Sequence, residues 1–166
     1  MRYERELGND LGNLLSRTTA MIAKYCDGTL PAQGRSPEVA EAIAAVHALV
    51  PGDLDAFNVT VGIDRVWSLV RELNRYVTET APWTVAKDEA RVDELHGILY
   101  DLADGLRAAA VALWPYLPET APRILAALGQ PLAFDWERVQ PGRLEPAAGV
   151  EPAAPLFPRI ETADAA

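Results

Sequence analysis

The chain has 166 residues, of which 49% are hydrophobic and 23% are charged. This length suits one domain with its own core, and the dominance of alanine and leucine over β-branched runs favours helix over sheet. The net charge of −9 argues against sequence-independent nucleic-acid binding, which needs a basic surface, and the single cysteine, Cys26, excludes an internal disulfide.

The chain shows no targeting or membrane segment. Its first six residues, Met-Arg-Tyr-Glu-Arg-Glu, lack the apolar stretch of a signal peptide. No segment reaches the roughly 18 apolar residues that a membrane-spanning helix needs. A single free thiol also fits a reducing compartment. We therefore expect a monomeric, cytoplasmic protein without membrane attachment.

Two helices are predicted in the N-terminal third of the chain. Apolar residues at helical spacing predict the first helix over 3–25, with Gly28 just beyond its end. The second helix is predicted to start at Pro37, with Ser36 as its N-cap. We expect Pro51 and the glycine after it to end this second helix.

A long third helix is predicted over 53–80, with Asp53 as its N-cap. Ala81 should end this helix, because a proline disfavours helical backbone in the residue before it. Trp83 is therefore expected at a break between two helices and not inside a helix. The residues expected to face the core share helical spacing, and they are Phe57, Val61, Val66, Trp67, Val70, Leu73 and Val77.

Two further helices complete the predicted bundle. Apolar spacing predicts the fourth helix over 88–114, with Val92 on its apolar face. A short fifth helix is predicted over 118–128. The sequence thus predicts an all-α fold, with a bundle of about five helices in residues 1–129.

The last part of the chain, residues 130–166, has a different character. It contains six of the 13 prolines, which indicates an extended tail. We expect this tail to pack on the bundle and to be frayed over 161–166. Its apolar anchors are predicted to be Phe134, Trp136, Leu156 and Phe157.

The sequence contains no arrangement typical of a catalytic centre. His47 and His96 each stand alone on a predicted helix, without a partner at metal-ligand spacing. The carboxylates within 88–94 lie where a helix start favours acidic residues, and Cys26 is interpreted as an unreactive thiol. No glycine-rich phosphate-binding motif is present. We expect neither a metal nor a cofactor in this chain.

The sequence leaves two roles open for Trp83. A tryptophan in a tight turn can plug the end of a bundle. It can also offer a flat surface on which an unpaired nucleic-acid base stacks, worth about 1–3 kcal/mol. Asn13 and Arg17 lie one helical turn apart, away from the apolar face of the first helix. Their amide and guanidinium groups can read base edges, or they can be ordinary solvated surface.

Basic residues are concentrated around Trp83 in an otherwise acidic chain. Arg71, Arg75 and Lys87 are candidate contacts to a phosphate backbone. The alternative is that such residues form ion pairs with neighbouring acidic residues, and exposed pairs of this kind are common and weak. Spacing alone does not decide between these two interpretations.

Three segments of the chain carry motifs of a known family. They are RY (2–3) followed by LGNDLGNLLSRT (7–18); NRYVTETAPW (74–83) continued by AKD (86–88); and the less specific tail PLFPRIE (155–161). These segments resemble the anticodon-binding domain of the methionyl-tRNA synthetases. In order and spacing, the resemblance covers nearly the whole chain.

The resemblance implies a helix bundle that reads the CAU anticodon of tRNA(Met). It implies that Trp83 stacks on an anticodon base and that Pro82 positions this tryptophan. It also implies that Asn13 and Arg17 form hydrogen bonds with anticodon bases. Thr78 departs from the pattern, because some members have an aspartate there, and a carboxylate contact at this position is therefore not expected.

The catalytic half of the family, which would use ATP and Mg²⁺, has no counterpart in the sequence. We therefore expect no aminoacylation by this chain, which is interpreted as an excised domain or a freestanding relic. If it is a fragment, the catalytic domain is a further partner, and Leu156 and Phe157 are expected to be exposed where the tail would turn towards it. Two alternatives stay open: a helical protein-interaction module that no longer binds RNA, and the related bundle of another synthetase, which the Ala-Pro-Trp turn disfavours.

Overall fold

A computed structural model describes residues 10–157, which contain helices and no strand. Short loops join its α-helices, which are α1 (Asn13–Tyr25), α2 (Pro37–Asp55), α3 (Val59–Thr80), α4 (Pro82–Val85), α5 (Val92–Leu113) and α6 (Thr120–Ala127). Short 3-10 helices lie at Glu89–Arg91 and Trp136–Val139. The predicted all-α bundle is confirmed. None of the helices in the described range is long and apolar enough to span a membrane.

Helix α5 forms the centre of the bundle. Every residue from Asp101 to Leu113 is buried, and α5 contacts α1, α2, α3, α4 and α6. Alanines and two glycines, Gly97 and Gly105, give this helix a small cross-section, so that its neighbours can approach closely. At Gly105, a β-carbon would lie 2.5 Å from a methyl carbon of Leu73 on α3. A larger side chain there would therefore push α3 away from the core.

A buried ion pair on α5 fastens a distant segment of the chain. The fully buried Arg107 donates to the Asp104 carboxylate at 2.9 Å and to the backbone oxygen of Gln140 at 2.8 Å. Asp104 also accepts the backbone N–H of Gly142 at 2.7 Å. Because a buried charge is costly without a partner, these contacts fix the backbone at 140–142 against the bundle centre.

The boundary between α2 and α3 differs from the prediction. Helix α2 does not end at Pro51 but continues to Asp55. A proline inside a helix cannot bond the carbonyl four residues earlier, which here belongs to His47. That carbonyl instead accepts the indole N–H of Trp136 at 3.1 Å. A tertiary contact thus replaces the missing helical hydrogen bond and lets the helix continue.

The start of α3 was also predicted wrongly. Asp53 lies within α2, and its carboxylate pairs with Arg65 instead of capping α3, which begins at Val59. Phe57, expected in the core, lies in the connecting turn with φ of +59° and is 91% exposed. Val61 and Val92, also expected to face the core, are exposed as well. Apolar spacing near a helix end does not guarantee a neighbour to pack against.

Other helix boundaries also differ from the predicted ones. Helix α1 begins at Asn13, after a wider π-helical turn at 10–12. The rest of the predicted first helix, 3–9, lies outside the described residues. Asp88 caps a 3-10 turn that leads into α5, and α6 spans only Thr120–Ala127.

The segment after Gln130 lies along the bundle, and its buried apolar side chains include Val139, Val150 and Leu156. The expectation that Leu156 is exposed was wrong: it is 4% exposed, and its carbonyl accepts from Arg123 at 3.0 Å. Phe157 is likewise partly buried, whereas Phe134, an expected anchor, is exposed. The predicted frayed end and most of the third motif lie beyond residue 157, outside the described residues.

Candidate nucleic-acid interface

The turn that presents Trp83 is built by Ala81 and Pro82. Ala81 adopts a left-handed backbone, with φ of 43° and ψ of 61°, and this ends α3. Pro82 then starts a new helix, because its fixed φ suits the first helical position and its missing N–H would be unpaired there. Trp83 therefore lies within the one-turn helix α4, and the prediction that it lies outside a helix was wrong.

Helix α4 has a buried side and an exposed side. Pro82 and Val85 are buried and fix α4 against the bundle, and α4 contacts α5. Trp83 projects from the other side and is 39% exposed. The backbone that carries the indole ring is thus held by the core, while a substantial part of the ring remains accessible.

Trp83 is in contact with a second candidate residue, Arg17 on α1. The guanidinium carbon of Arg17 lies 5.3 Å from the centroid of the indole ring, a cation–π arrangement. Both Arg17 and Asn13 are exposed, and they lie one turn apart on the same helix. Two segments separated by more than 60 residues in sequence thus contribute to one surface. We call Asn13, Arg17 and Trp83 the α1–α4 surface.

A contact that the sequence reasoning missed links α1 to α3. The side-chain amide of Asn74 on α3 donates to the Asp10 carbonyl and to the Val70 carbonyl, both at 3.0 Å. Asn74 belongs to the motif that ends in Trp83, but no role was predicted for it. Its signal was its position in the middle of a helix, where asparagine is unfavourable unless its amide has a specific use.

The three basic residues expected to contact phosphate differ in their surroundings. Arg75 forms ion pairs with Glu72 and Glu79. Its hydrogen bonds, first to Glu72 and then to Glu79, raise the pKa of its guanidinium. Arg71 donates to the Ser68 hydroxyl at 2.8 Å. Lys87 is exposed and has no ion-pair partner within residues 10–157. The ion-pair interpretation therefore fits Arg75 but neither Arg71 nor Lys87.

The chain resembles known enzymes over almost its whole length, although no family model matches it. It is 40% identical to the methionine–tRNA ligase of Listeria monocytogenes over 170 residues, which cover 96% of this chain and 25% of that protein. The identity to the corresponding ligase of Caldanaerobacter subterraneus is 37% over 167 residues, with 96% and 26% coverage. The chain is thus similar to one part of these methionine–tRNA ligases. It spans about a quarter of the length of these relatives.

Solved synthetase structures share the fold. The free form of Mycobacterium tuberculosis methionyl-tRNA synthetase matches with a TM-score of 0.84 and 30% identity, covering 96% of this chain and 34% of that one. The same enzyme in complex with methionyl-adenylate matches with a TM-score of 0.83. The helical architecture of this chain is therefore that of one part of a methionyl-tRNA synthetase.

The histidine and cysteine side chains considered as catalytic candidates make contacts typical of a structural role. The His47 ring stacks on Trp136, with ring centroids 6.2 Å apart. Burial raises the pKa of the Cys26 thiol to about 11, which keeps it protonated and unreactive near neutral pH. Among residues 10–157, no three histidine, cysteine or acidic side chains are grouped to hold a metal ion.

Proposed function

We propose that this chain recognises the CAU anticodon of tRNA(Met) through the α1–α4 surface. The observation that carries the proposal is the cation–π contact of Arg17 with Trp83, in which the guanidinium carbon lies 5.3 Å from the ring centroid. Asn13 is exposed one helical turn away from Arg17. These residue types combine a stacking surface with groups that form directed hydrogen bonds to base edges. They also occupy the positions at which the synthetase motif places its anticodon contacts.

Recognition by this surface requires a base to take the place of a side chain. In the free protein, the Arg17 guanidinium lies over the indole ring of Trp83. An exposed cation–π contact is worth about 0.5–1 kcal/mol. A base stacked on an aromatic ring is worth about 1–3 kcal/mol. An unstacked anticodon base therefore gains more from the ring than the arginine loses, and the displaced guanidinium can turn to a base edge beside the Asn13 amide.

Contacts to the RNA phosphates are expected to contribute less to the affinity, because few unpaired basic side chains lie near Trp83. Lys87 and Arg71 are free of carboxylate partners within residues 10–157, whereas Arg75 is already paired with two glutamates. With a net charge of −9, the rest of the chain repels RNA. Affinity for the anticodon is therefore expected to come mainly from stacking and hydrogen bonds, with a modest dependence on salt.

In a complete synthetase, this interaction would select the tRNA before its distant acceptor end receives methionine. The chain would then act in cytoplasmic translation beside a catalytic part that uses ATP and Mg²⁺. The residues of this chain bind and discriminate RNA, and we expect none of them to take part in the transfer of methionine.

Binding of a CAU anticodon stem-loop to the 166-residue chain tests the proposal. The matched controls are three stem-loops, each with one anticodon base changed. We expect the CAU stem-loop to bind at least about fivefold more tightly than each of them, since a mismatched base at a hydrogen-bonded position costs about 1–3 kcal/mol. Equal binding of all four RNAs, or no binding of any, would contradict anticodon recognition.

A second function, as a protein-interaction module, is favoured by a different region. The turn between α2 and α3 exposes Phe57, and the first turn of α3 exposes Val59 and Val61. Leu49 on α2 is exposed as well. Exposed apolar side chains are typical of contact surfaces between proteins. If the chain has this function instead, Phe57→Ser should abolish binding of its protein partner, whereas no stem-loop should bind selectively.

A further inference from the structure

We propose that Asn74 is a positioning residue: it fixes the backbone that leads into α1 and thereby places Arg17 against Trp83, with Asn13 one turn away on the same helix. The inference rests on the function proposed above, because it assigns the residue that assembles the anticodon surface. Asn74 lies at the side of this surface and has no assigned contact with RNA.

The first observation is the double hydrogen bond of one amide group. The Asn74 NH₂ donates to the Val70 carbonyl on its own helix and to the Asp10 carbonyl in the turn before α1, both at 3.0 Å. An amide NH₂ has two hydrogens, so both of its donors are used. The bond to Val70 fixes the orientation of the side chain, and the bond to Asp10 then fixes the neighbouring backbone.

The second observation is where the accepting carbonyl lies. Asp10 lies in the π-helical turn described at 10–12, and Asn13 is the first residue of α1 after this turn. A π-helical turn changes the rotation and rise of the residues that follow it, and such turns are frequent at functional sites. The carbonyl held by Asn74 therefore sets the direction in which Asn13 and Arg17 project.

The third observation is the continuity of α3 between Asn74 and the tryptophan. Helix α3 runs without interruption to Thr80, and Ala81 connects it directly to α4. A shift of α1 along α3 therefore becomes a shift of Arg17 relative to Trp83. The affinity for RNA depends on the distance between Arg17 and Trp83, because misplacing a contact group by about 1 Å can remove much of its contribution.

Asn74→Asp tests the inference, because it keeps the shape of the side chain but replaces the donor with a carboxylate. Asn74→Ala removes the donor without adding charge. The matched control is Asn58→Asp, the same substitution at the N-cap position of α3, where Asn58 makes no capping hydrogen bond with its side chain. Folding of all variants is followed by circular dichroism and thermal unfolding.

The first readout is independent of RNA. Protons of the Arg17 side chain above the indole ring should show an upfield NMR shift, assigned by its disappearance in Trp83→Ala. We expect both Asn74 variants to lose most of this shift while remaining folded, and Asn58→Asp to keep it. A retained shift in the Asn74 variants would overturn the inference. Unfolding of both variants would also overturn it, since Asn74 would then support the whole fold.

The second readout is binding of the CAU stem-loop. Asn74→Asp should weaken binding by a few-fold to about tenfold, the effect of removing one partly buried hydrogen bond. The loss should be smaller in a Trp83→Ala background, because two residues that act on one contact are not additive. Equal losses in both backgrounds would contradict the positioning role. If the unaltered chain does not select CAU, the proposed function fails, but the NMR shift still decides the role of Asn74.

Discussion

Trp83 and Trp136 are partly exposed tryptophans on short helical segments, but the contacts of their rings differ. Trp136 donates its indole N–H to the His47 carbonyl at 3.1 Å, and its ring stacks on the His47 ring with an angle of 18° between the planes. The ring of Trp83 instead faces the guanidinium of Arg17, an exposed and flexible side chain. One ring is bound to the backbone of the bundle, and the other is covered by a group that can move.

The difference separates the two roles that the sequence leaves open for a tryptophan near a turn. The Trp136 indole supplies the hydrogen bond that Pro51 cannot make, so its removal would leave a helix carbonyl without a partner. The Trp83 ring has a face that another flat group can take over at a low cost in free energy. Trp136 thus has the contacts of a structural plug, whereas Trp83 has those of a stacking surface.

The largest effect on stability is expected from Trp136→Ala. Truncation of a tryptophan that packs against the core should lower the free energy of unfolding by about 3 kcal/mol. Urea unfolding measures this value, and Phe134→Ala, which truncates an exposed ring in the same segment, should cost less than about 1 kcal/mol. CAU stem-loop binding should be unchanged in folded Trp136→Ala, and a loss of binding there would mean that the two regions are not separate.

Trp83→Ala should show the reverse pattern. We expect binding of the CAU stem-loop to weaken by about 1–3 kcal/mol. The free energy of unfolding should change by less than about 1 kcal/mol, because Trp83 is 39% exposed and is not one of the buried core residues. Trp83→Phe, which keeps an aromatic face, should recover part of the binding. A loss of stability as large as that of Trp136→Ala would support the plug interpretation for Trp83.

The basic residues near Trp83 should differ in the salt dependence of binding. Lys87→Ala should reduce the slope of log K against log salt by about 0.7, because one cation fewer then neutralises a phosphate of the single strand. Arg75→Ala should change it less, because Glu72 and Glu79 already neutralise this guanidinium. Binding titrations at several salt concentrations give both slopes. Equal reductions would indicate that Arg75 leaves its carboxylates when RNA binds.

The smallest effect is expected from the exposed ion pairs that follow the Trp83 segment. Hydrogen bonds from Arg91 and Arg35 lower the pKa of Glu94 from 4.5 to about 2. A lowered pKa in the folded state means that the pair stabilises the protein above about pH 4.5 and that this stabilisation is lost as the pH falls towards 2. Thermal unfolding of Glu94→Gln and of the unaltered chain should therefore differ slightly at pH 6 and converge near pH 2. A constant difference across this range would contradict the lowered pKa.

The sequence by itself determined the helical class of the fold and most of the helices. Its apolar residues recur at helical spacing, and this local property does not depend on the partner that each helix meets. The residue types around Arg17 and Trp83 left their role open, and only the resemblance of their motifs to the synthetase family implied one recognition surface. The end of α3 at Ala81-Pro82 could be predicted, since the restriction that proline imposes is local.

Only the tertiary structure decided what these residues touch. Pro51 predicted a helix end, but the Trp136 indole donates the missing hydrogen bond to the carbonyl of His47, 89 residues away in the sequence. Phe57 follows the apolar spacing and still has no neighbour to bury it. The contact of Arg17 with Trp83, and the hydrogen bond from the Asn74 amide to the Asp10 carbonyl, likewise join distant segments. Local propensity cannot encode such contacts, because they depend on the packing of all the helices around α5.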